Sequence, residues 1–176
     1  IETDHHEIHG GDSYTTHFDN TTTNSDNHRT AVGFKTPNTT ERAHLVIEVT
    51  SSAPSEFYIL EAPTIDDGVG GQEAIFDRER NSSSITTMIE LSGTPTVSTS
   101  STYIEAQLAT LVGGLVMSHT QLVGGTGPKA VGGDSRGAQE WVLKQNTKYL
   151  FVLQNVGANT NMHEIELDWY EHVSVV

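Results

Sequence analysis

One alternation near the end of the chain constrains the fold more than anything else in the sequence. In the stretch 163–170, HEIELDWY, Ile165, Leu167 and Trp169 point one way while Glu164, Glu166 and Asp168 point the other. A period of two is the signature of a half-buried strand, with one dry face and one wet face. Just upstream, 148–154 (KYLFVLQ) is apolar on both strand faces, as expected of a strand buried at the centre of a sheet. The break at 157–161, GANTN, separates them and predicts a long terminal antiparallel hairpin. Two strands do not stand alone in water, so upstream strands must complete the core.

Those strands are visible. In 43–50, Leu45, Ile47 and Val49 alternate with His44, Val46 and Glu48; after the turn 51–54 the β-forming run 57–61 follows in hairpin fashion. Residues 86–91 place Thr87, Ile89 and Leu91 on one face, and 103–111 set Ile104, Ala106 and Leu108 against Tyr103, Glu105 and Gln107. Shorter strands are predicted at 13–18 and 30–34, and 140–143 opens the terminal block. Turn-forming or Gly-rich loops are predicted at 19–27, 62–71 and 113–137, and a serine-rich connection at 77–84. About eight to ten short strands without a helical stretch predict an all-β antiparallel sandwich or barrel. The predicted organisation is one domain, 13–176, preceded by a polar arm, 1–12. The predicted core contains Leu45, Ile47, Val49, Trp141, Phe151, Ile165, Leu167 and Trp169.

Charge narrows the partners. Asp and Glu number 23 against 9 Lys and Arg, a formal net charge of -14. Nucleic-acid binding runs on Lys and Arg contacts to phosphate, and anionic membrane surfaces would repel such a chain, so neither is an expected partner. The apolar run 109–117 is interrupted by Gly113 and Gly114 and falls short of a membrane span. No secretory leader pattern is visible at the start. Few lysines, many threonines and the acidic excess fit a high-salt setting such as a halophilic archaeon or its virus, where salt screens the self-repulsion. Cysteine is absent, which excludes disulfides, thiolate metal sites and a Cys nucleophile.

The candidate chemistry is thin. His5, His6, His9 and Asp12 are imidazole and carboxylate groups of the kind that bind Zn or Ni, although the solvated-arm reading weighs more. Asp66-Asp67-Gly68 is part of a calcium-loop pattern without the remaining spacing, so a plain turn is the better reading. Structural cations such as Mg or Ca at acidic loops are the only cofactors left open. Gly124-Gly125-Thr126-Gly127 lacks the context and the Lys of a phosphate loop, and no nucleophile elbow or zincin motif occurs. No carboxylate pair is singled out for glycoside hydrolysis, and no enzyme activity is expected. Asn20, Asn38 and Asn81 fit the N-glycosylation acceptor pattern, which a Ser/Thr-rich chain also produces by chance.

Six short stretches, in order along nearly the whole chain, carry a family resemblance: EIHGGDSY at 7–14, AHLVIE at 43–48, YILEAPT at 58–64, RERNS at 78–82, EWVLKQNTKY at 140–149 and DWYEH at 168–172. In these the chain resembles the head decoration or capsid-associated, turret-like proteins of tailed phages and archaeal tailed viruses. The acidic surface and the Thr/Asn-rich loop 19–27 depart from that family. The resemblance implies a jelly-roll-like β-sandwich, a homo-oligomer (trimer or pentamer) on a capsid symmetry axis, and no enzymatic activity. Its implied location is the capsid exterior, its implied partner the major capsid protein, and its implied role to tie capsid subunit edges together. Loops 19–27, 62–71 and 113–137 would form a projecting knob that contacts a host cell-surface glycoprotein by avidity. The alternative is a host-surface or glycan-binding adhesin of a turret or tail fibre, with Tyr14, Tyr58, Tyr103 or Tyr170 stacking on sugars.

Overall fold

The computed structural model describes residues 9–20, 29–64, 74–87, 90–91, 94–95, 113–123, 131–132, 140–157 and 160–173. These are nearly all β. The strands are β1 (Ser13–Asn20), β2 (Arg29–Lys35), β3 (Glu41–Ser51), β4 (Ser55–Glu61), β5 (Phe76–Asp77), β6 (Glu90–Leu91), β7 (Thr94–Pro95), β8 (Leu115–Leu122), β9 (Val131–Gly132), β10 (Trp141–Val142), β11 (Lys148–Asn155) and β12 (His163–Val173). Two antiparallel sheets carry the fold. The first runs β10-β3-β12-β1-β5, with β9 also on β3, and the second runs β2-β11-β4-β8; β6 and β7 form a small ribbon.

The pairing is nested. The first strand pairs with the last (β1 with β12), β2 with β11, β3 with β10 and β4 with β8. Two further ladders, β3 with β12 and β4 with β11, fold this nest into the two sheets.

The alternation of 163–170 appears as expected, with Ile165, Leu167 and Trp169 buried and Glu164 exposed. The terminal hairpin does not. β11 and β12 lie in different sheets and face each other through the core. Likewise 43–50 and 57–61 form no hairpin, because β3 belongs to the first sheet and β4 to the second. Both connections cross the roughly 10 Å between packed sheets instead of reversing within one. A dry face says which side of a strand is buried and nothing about which strand lies beside it.

The core between the sheets contains Tyr14, Val32, Phe34, Leu45, Val49, Phe57, Ile59, Tyr149, Phe151, Leu153, Ile165, Leu167 and Trp169. Ile47 and Trp141, predicted as core, are half-buried and pack against its rim. Phe34 sits 5.4 Å from Phe151, and Tyr14 5.8 Å from Trp169, ring centre to ring centre. β11 is buried on both faces, as its composition requires: Leu150 and Val152, opposite in pleat to Phe151, are also fully buried.

Other expectations need correction. The loop predicted at 113–137 contains the eight-residue strand β8. Gly114 starts it with φ +82°, and a Cβ there would lie 2.6 Å from the carbonyl oxygen of Glu61. Gly114 therefore serves a close backbone approach at the strand entry, and Gly113 precedes it with φ +66°. Among the described residues of the predicted strand 86–91, Thr86 and Thr87 are not strand and Glu90–Leu91 are. The strand predicted at 103–111 and residues 21–28, 65–73, 124–130 and 133–139, which include most of the predicted loops 19–27 and 62–71, lie outside the described residues. The arm is held from residue 11 on: Gly11 packs on Ser82, and the Glu171 amide donates to the Asp12 carbonyl at 2.9 Å.

Candidate functional site

Each sheet turns one face outward. On the first sheet β12 runs between β1 and β3, and its even-numbered residues line that face. Glu166 lies directly opposite Glu48 on β3 and His17 on β1; Glu164 lies opposite Asp19, and Asp168 opposite Thr15 and Val46. Partial burial pushes the Glu166 carboxyl above its ordinary range, and the charges of Asp168, Glu48 and Glu164 push it further, with His17 opposing. Like charges directly across a ladder destabilise it, so this half of the face favours counter-ions or salt.

The other half of the same face carries rings. Tyr170 and His44 are directly opposed across β12 and β3, and their rings stack at 4.6 Å and 14°. His172 meets His44 edge-on at 6.2 Å. Glu140, just before β10, bridges the pair: its carboxylate accepts from the Tyr170 hydroxyl at 2.9 Å and contacts His44 Nδ1.

The second sheet repeats this constellation on its outward face. Tyr58 and His119 are opposed across β4 and β8 and stack at 4.3 Å and 7°. Glu56 accepts from the Tyr58 hydroxyl and lies 3.7 Å from His119 Nε2. Burial, then the hydrogen bond to the Glu56 carboxylate, pushes the Tyr58 hydroxyl up to about 12. In both triads a half-covered tyrosine has one ring face occupied by histidine and its hydroxyl held by glutamate.

The polar groups between the sheets are internal ties. At one end, Asn161 is fully buried and reaches from the β11–β12 crossover to the β3–β4 crossover. Its Oδ1 accepts from the Ala53 amide at 2.9 Å and from the Ser51 and Ser52 hydroxyls at 3.0 Å each. Its Nδ2 donates to Ser55 Oγ at 2.8 Å and to the Ala53 carbonyl at 3.3 Å. Buried His163 joins Ser55 Oγ at 3.2 Å to Thr30 Oγ1 at 2.9 Å, linking the two sheets. A Ser–His contact in this setting has no opening to solvent and serves packing.

At the opposite end, buried Glu171 captures the segment before β6. Its carboxylate accepts from the Thr87 amide at 2.8 Å, the Thr87 hydroxyl at 2.6 Å, the Thr86 hydroxyl, and Trp169 Nε1 at 3.2 Å. Nearby, Glu61 accepts from Lys144 Nζ at 2.6 Å and from the Tyr149 hydroxyl at 3.0 Å. The Lys144 hydrogen bond draws the Glu61 carboxyl below its ordinary range, against the effect of burial. Burial chiefly raises the Tyr149 hydroxyl, to about 12. The shallow depression between Thr36, Arg42, Thr87, Lys144 and Glu171 has room for little more than a water.

Of the predicted site residues, His5, Asp66 and Asp67 lie outside the described residues, and His9 is exposed. Among the described residues, no group of three or more His, Asp or Glu is placed to hold a metal ion. Tyr14, offered as a sugar-stacking ring, is a core residue with 3% exposure, and Tyr103 lies outside the described residues. Tyr58 and Tyr170 do face outward. The acceptor asparagines Asn38 and Asn81 are exposed. Sequence reading missed both triads, because the partners of each are far apart in the chain; the nearest signal was a lone Tyr or His at an outward strand position. No family model, curated protein or solved structure matches the chain.

Proposed function

We propose that this chain is a non-enzymatic structural protein of a virion, one that decorates and stabilises the outside of a tailed-virus capsid in a salty host environment. The observation that carries the reading is the nested pairing, β1 with β12, β2 with β11, β3 with β10 and β4 with β8, across two packed sheets. That order is the one a jelly roll uses, and we assign the fold to that class. A sandwich whose crossovers are pinned by Asn161 and His163 is a rigid block with loops at its two ends. The acidic outward face around Glu166 supports the high-salt setting. Homo-oligomers seated on the major capsid protein would tie capsid subunit edges together.

The chain leaves β1 and β8 at the end where β4 begins, whereas the connection after Glu61 leaves from the opposite end. The second reading, a host-surface or glycan-binding adhesin, draws support from the outward Tyr58 and Tyr170 triads. Counting this chain against the major capsid protein in purified particles, by quantitative mass spectrometry, separates them. Hundreds of copies per particle are expected for decoration; a handful at the tail favours the adhesin, and absence from particles overturns both.

A further inference from the structure

The described sheet edges differ in how they are guarded. An open edge presents unpaired amides and carbonyls, and proteins blunt such edges with short strands, charges, prolines or bulges. The first sheet ends in two-residue strands, β5 on one side and β9 and β10 on the other. The second sheet's β2 edge has Arg29 and Lys35 at its ends, with Arg29 Nε held by Gln154 Oε1 at 2.7 Å. β8 is the exception. Its eight residues, LVMSHTQL, include no Asp, Glu, Lys, Arg or Pro. Among the described residues its only ladder is with β4. Its one bulge falls opposite Ile59 and Leu60, so residues 118–122 keep unbroken register and remain a regular edge. Apolar side chains stand in the open at both ends of the strand: Leu115 is 61% exposed and Val116 46% before the bulge, and Val123, just past the strand, 78%.

Charge selects the occupant. A basic partner would be steered to the acidic face around Glu166 and away from a neutral strand. Two copies of a chain with net charge -14 repel each other, and least where an uncharged strand meets its own copy. The run 113–123 contains no Asp, Glu, Lys or Arg and is flanked by glycines. Antiparallel pairing of a strand with its own copy is isologous: the same surface serves both sides, and every contact is made twice. We propose that β8 is a self-association edge, at which two copies pair their β8 strands antiparallel about a two-fold axis. The two four-stranded sheets then become one continuous eight-stranded sheet. His119, held flat on Tyr58, stiffens the strand for this pairing. The proposal does not depend on the virion reading, which concerns where the assembled protein sits.

The test uses the whole chain. Light scattering over a dilution series, in dilute buffer and in molar KCl, should give a mass twice that of one chain at high concentration. The dimer should tighten as KCl screens the repulsion. Hydrogen exchange should slow at the amides of residues 115–122 as concentration rises. The double variant Val116→Lys, Gln121→Lys should stay monomeric at concentrations where the wild type is dimeric, with the circular dichroism spectrum unchanged. A monomeric wild type in all conditions overturns the proposal. So does an oligomer of any order whose β8 amides stay unprotected, or one that the folded double variant still forms. Should the variant fail to fold, the wild-type mass and β8 exchange decide the matter alone.

Discussion

Asn161 offers the sharpest check on how the two crossovers are held. Its amide pairs with both backbone groups of Ala53, which fixes its orientation: Oδ1 takes the Ala53 N–H at 2.9 Å and Nδ2 faces the Ala53 carbonyl at 3.3 Å. In Asn161→Ala most partners find others. The Ala53 carbonyl keeps the Ser51 hydroxyl at 2.7 Å, Ser52 Oγ keeps the Met162 amide at 2.8 Å, and Asn155 Oδ1 keeps the Gly157 amide at 3.2 Å. The Ala53 N–H is the group left without its acceptor in a buried turn. An orphaned buried amide costs about 1–3 kcal/mol, and each lost hydrogen bond about 1 kcal/mol more, so a loss of about 3 kcal/mol is expected. That is a large part of the roughly 5–15 kcal/mol that holds a domain together. Asn161→Asp separates donation from acceptance. The carboxylate still accepts from Ala53, Ser51 and Ser52, but its second oxygen faces the Ala53 carbonyl and Asn155 Oδ1, where a donor is needed. Its folded-state carboxyl is therefore raised above the unfolded value. The folded state then binds more protons than the unfolded one between the two values, and stability rises as pH falls through that window. Urea melts of the wild type and both variants, at about pH 7 and about pH 5, measure midpoint and slope. A loss below about 1 kcal/mol in Asn161→Ala would refute the tie. Identical pH responses of the Ala and Asp variants would refute the assigned orientation.

Three further perturbations probe the rest of the fold. Trp169→Ala removes a ring that is 2% exposed and packed on Tyr14, and should cost about 3–5 kcal/mol in the same urea assay; a negligible loss would move Trp169 out of the core. Glu166→Gln relieves the charge facing Glu48 and should raise stability in dilute buffer by about 0.5 kcal/mol. Because the folded Glu166 carboxyl is raised, the wild type should also gain stability as pH falls toward the ordinary value of 4.5, and both effects should shrink in molar KCl. A wild-type melting temperature no lower in dilute buffer than in molar KCl would count against salt-screened acidic repulsion. Glu61 has the opposite sign: its carboxyl is lowered by Lys144, so its stabilisation is full above 4.5 and is lost as pH falls through the lower folded value. Glu61→Gln should flatten that acid limb of the stability curve, and an unchanged limb would remove Glu61 from the account.

Local pattern was enough for some of this protein. The alternation at 163–170 and 43–50 and the doubly apolar run 148–154 are consequences of side-chain direction along a strand, so burial of Leu45, Phe151, Ile165, Leu167 and Trp169 was readable directly. The all-β class followed, because such strands must bury their dry faces against one another. β8 was hidden because its side chains are largely exposed, which removes the alternation, and because its entry glycines look like a loop. The triads were hidden because a stack between Tyr170 and His44, or Tyr58 and His119, exists only once register is set. Register and neighbour come from ladders between residues far apart in the chain, as in Tyr58 opposite His119 and Trp169 opposite Leu45. The sequence by itself determined which strand faces are dry at 43–50, 148–154 and 163–170, and that the fold class is all-β. Only the tertiary structure decided that β11 and β12 part to opposite sheets. Alternation carries no information about partners, and a seven-residue crossover tied down by Asn161 permits what a tight turn would forbid.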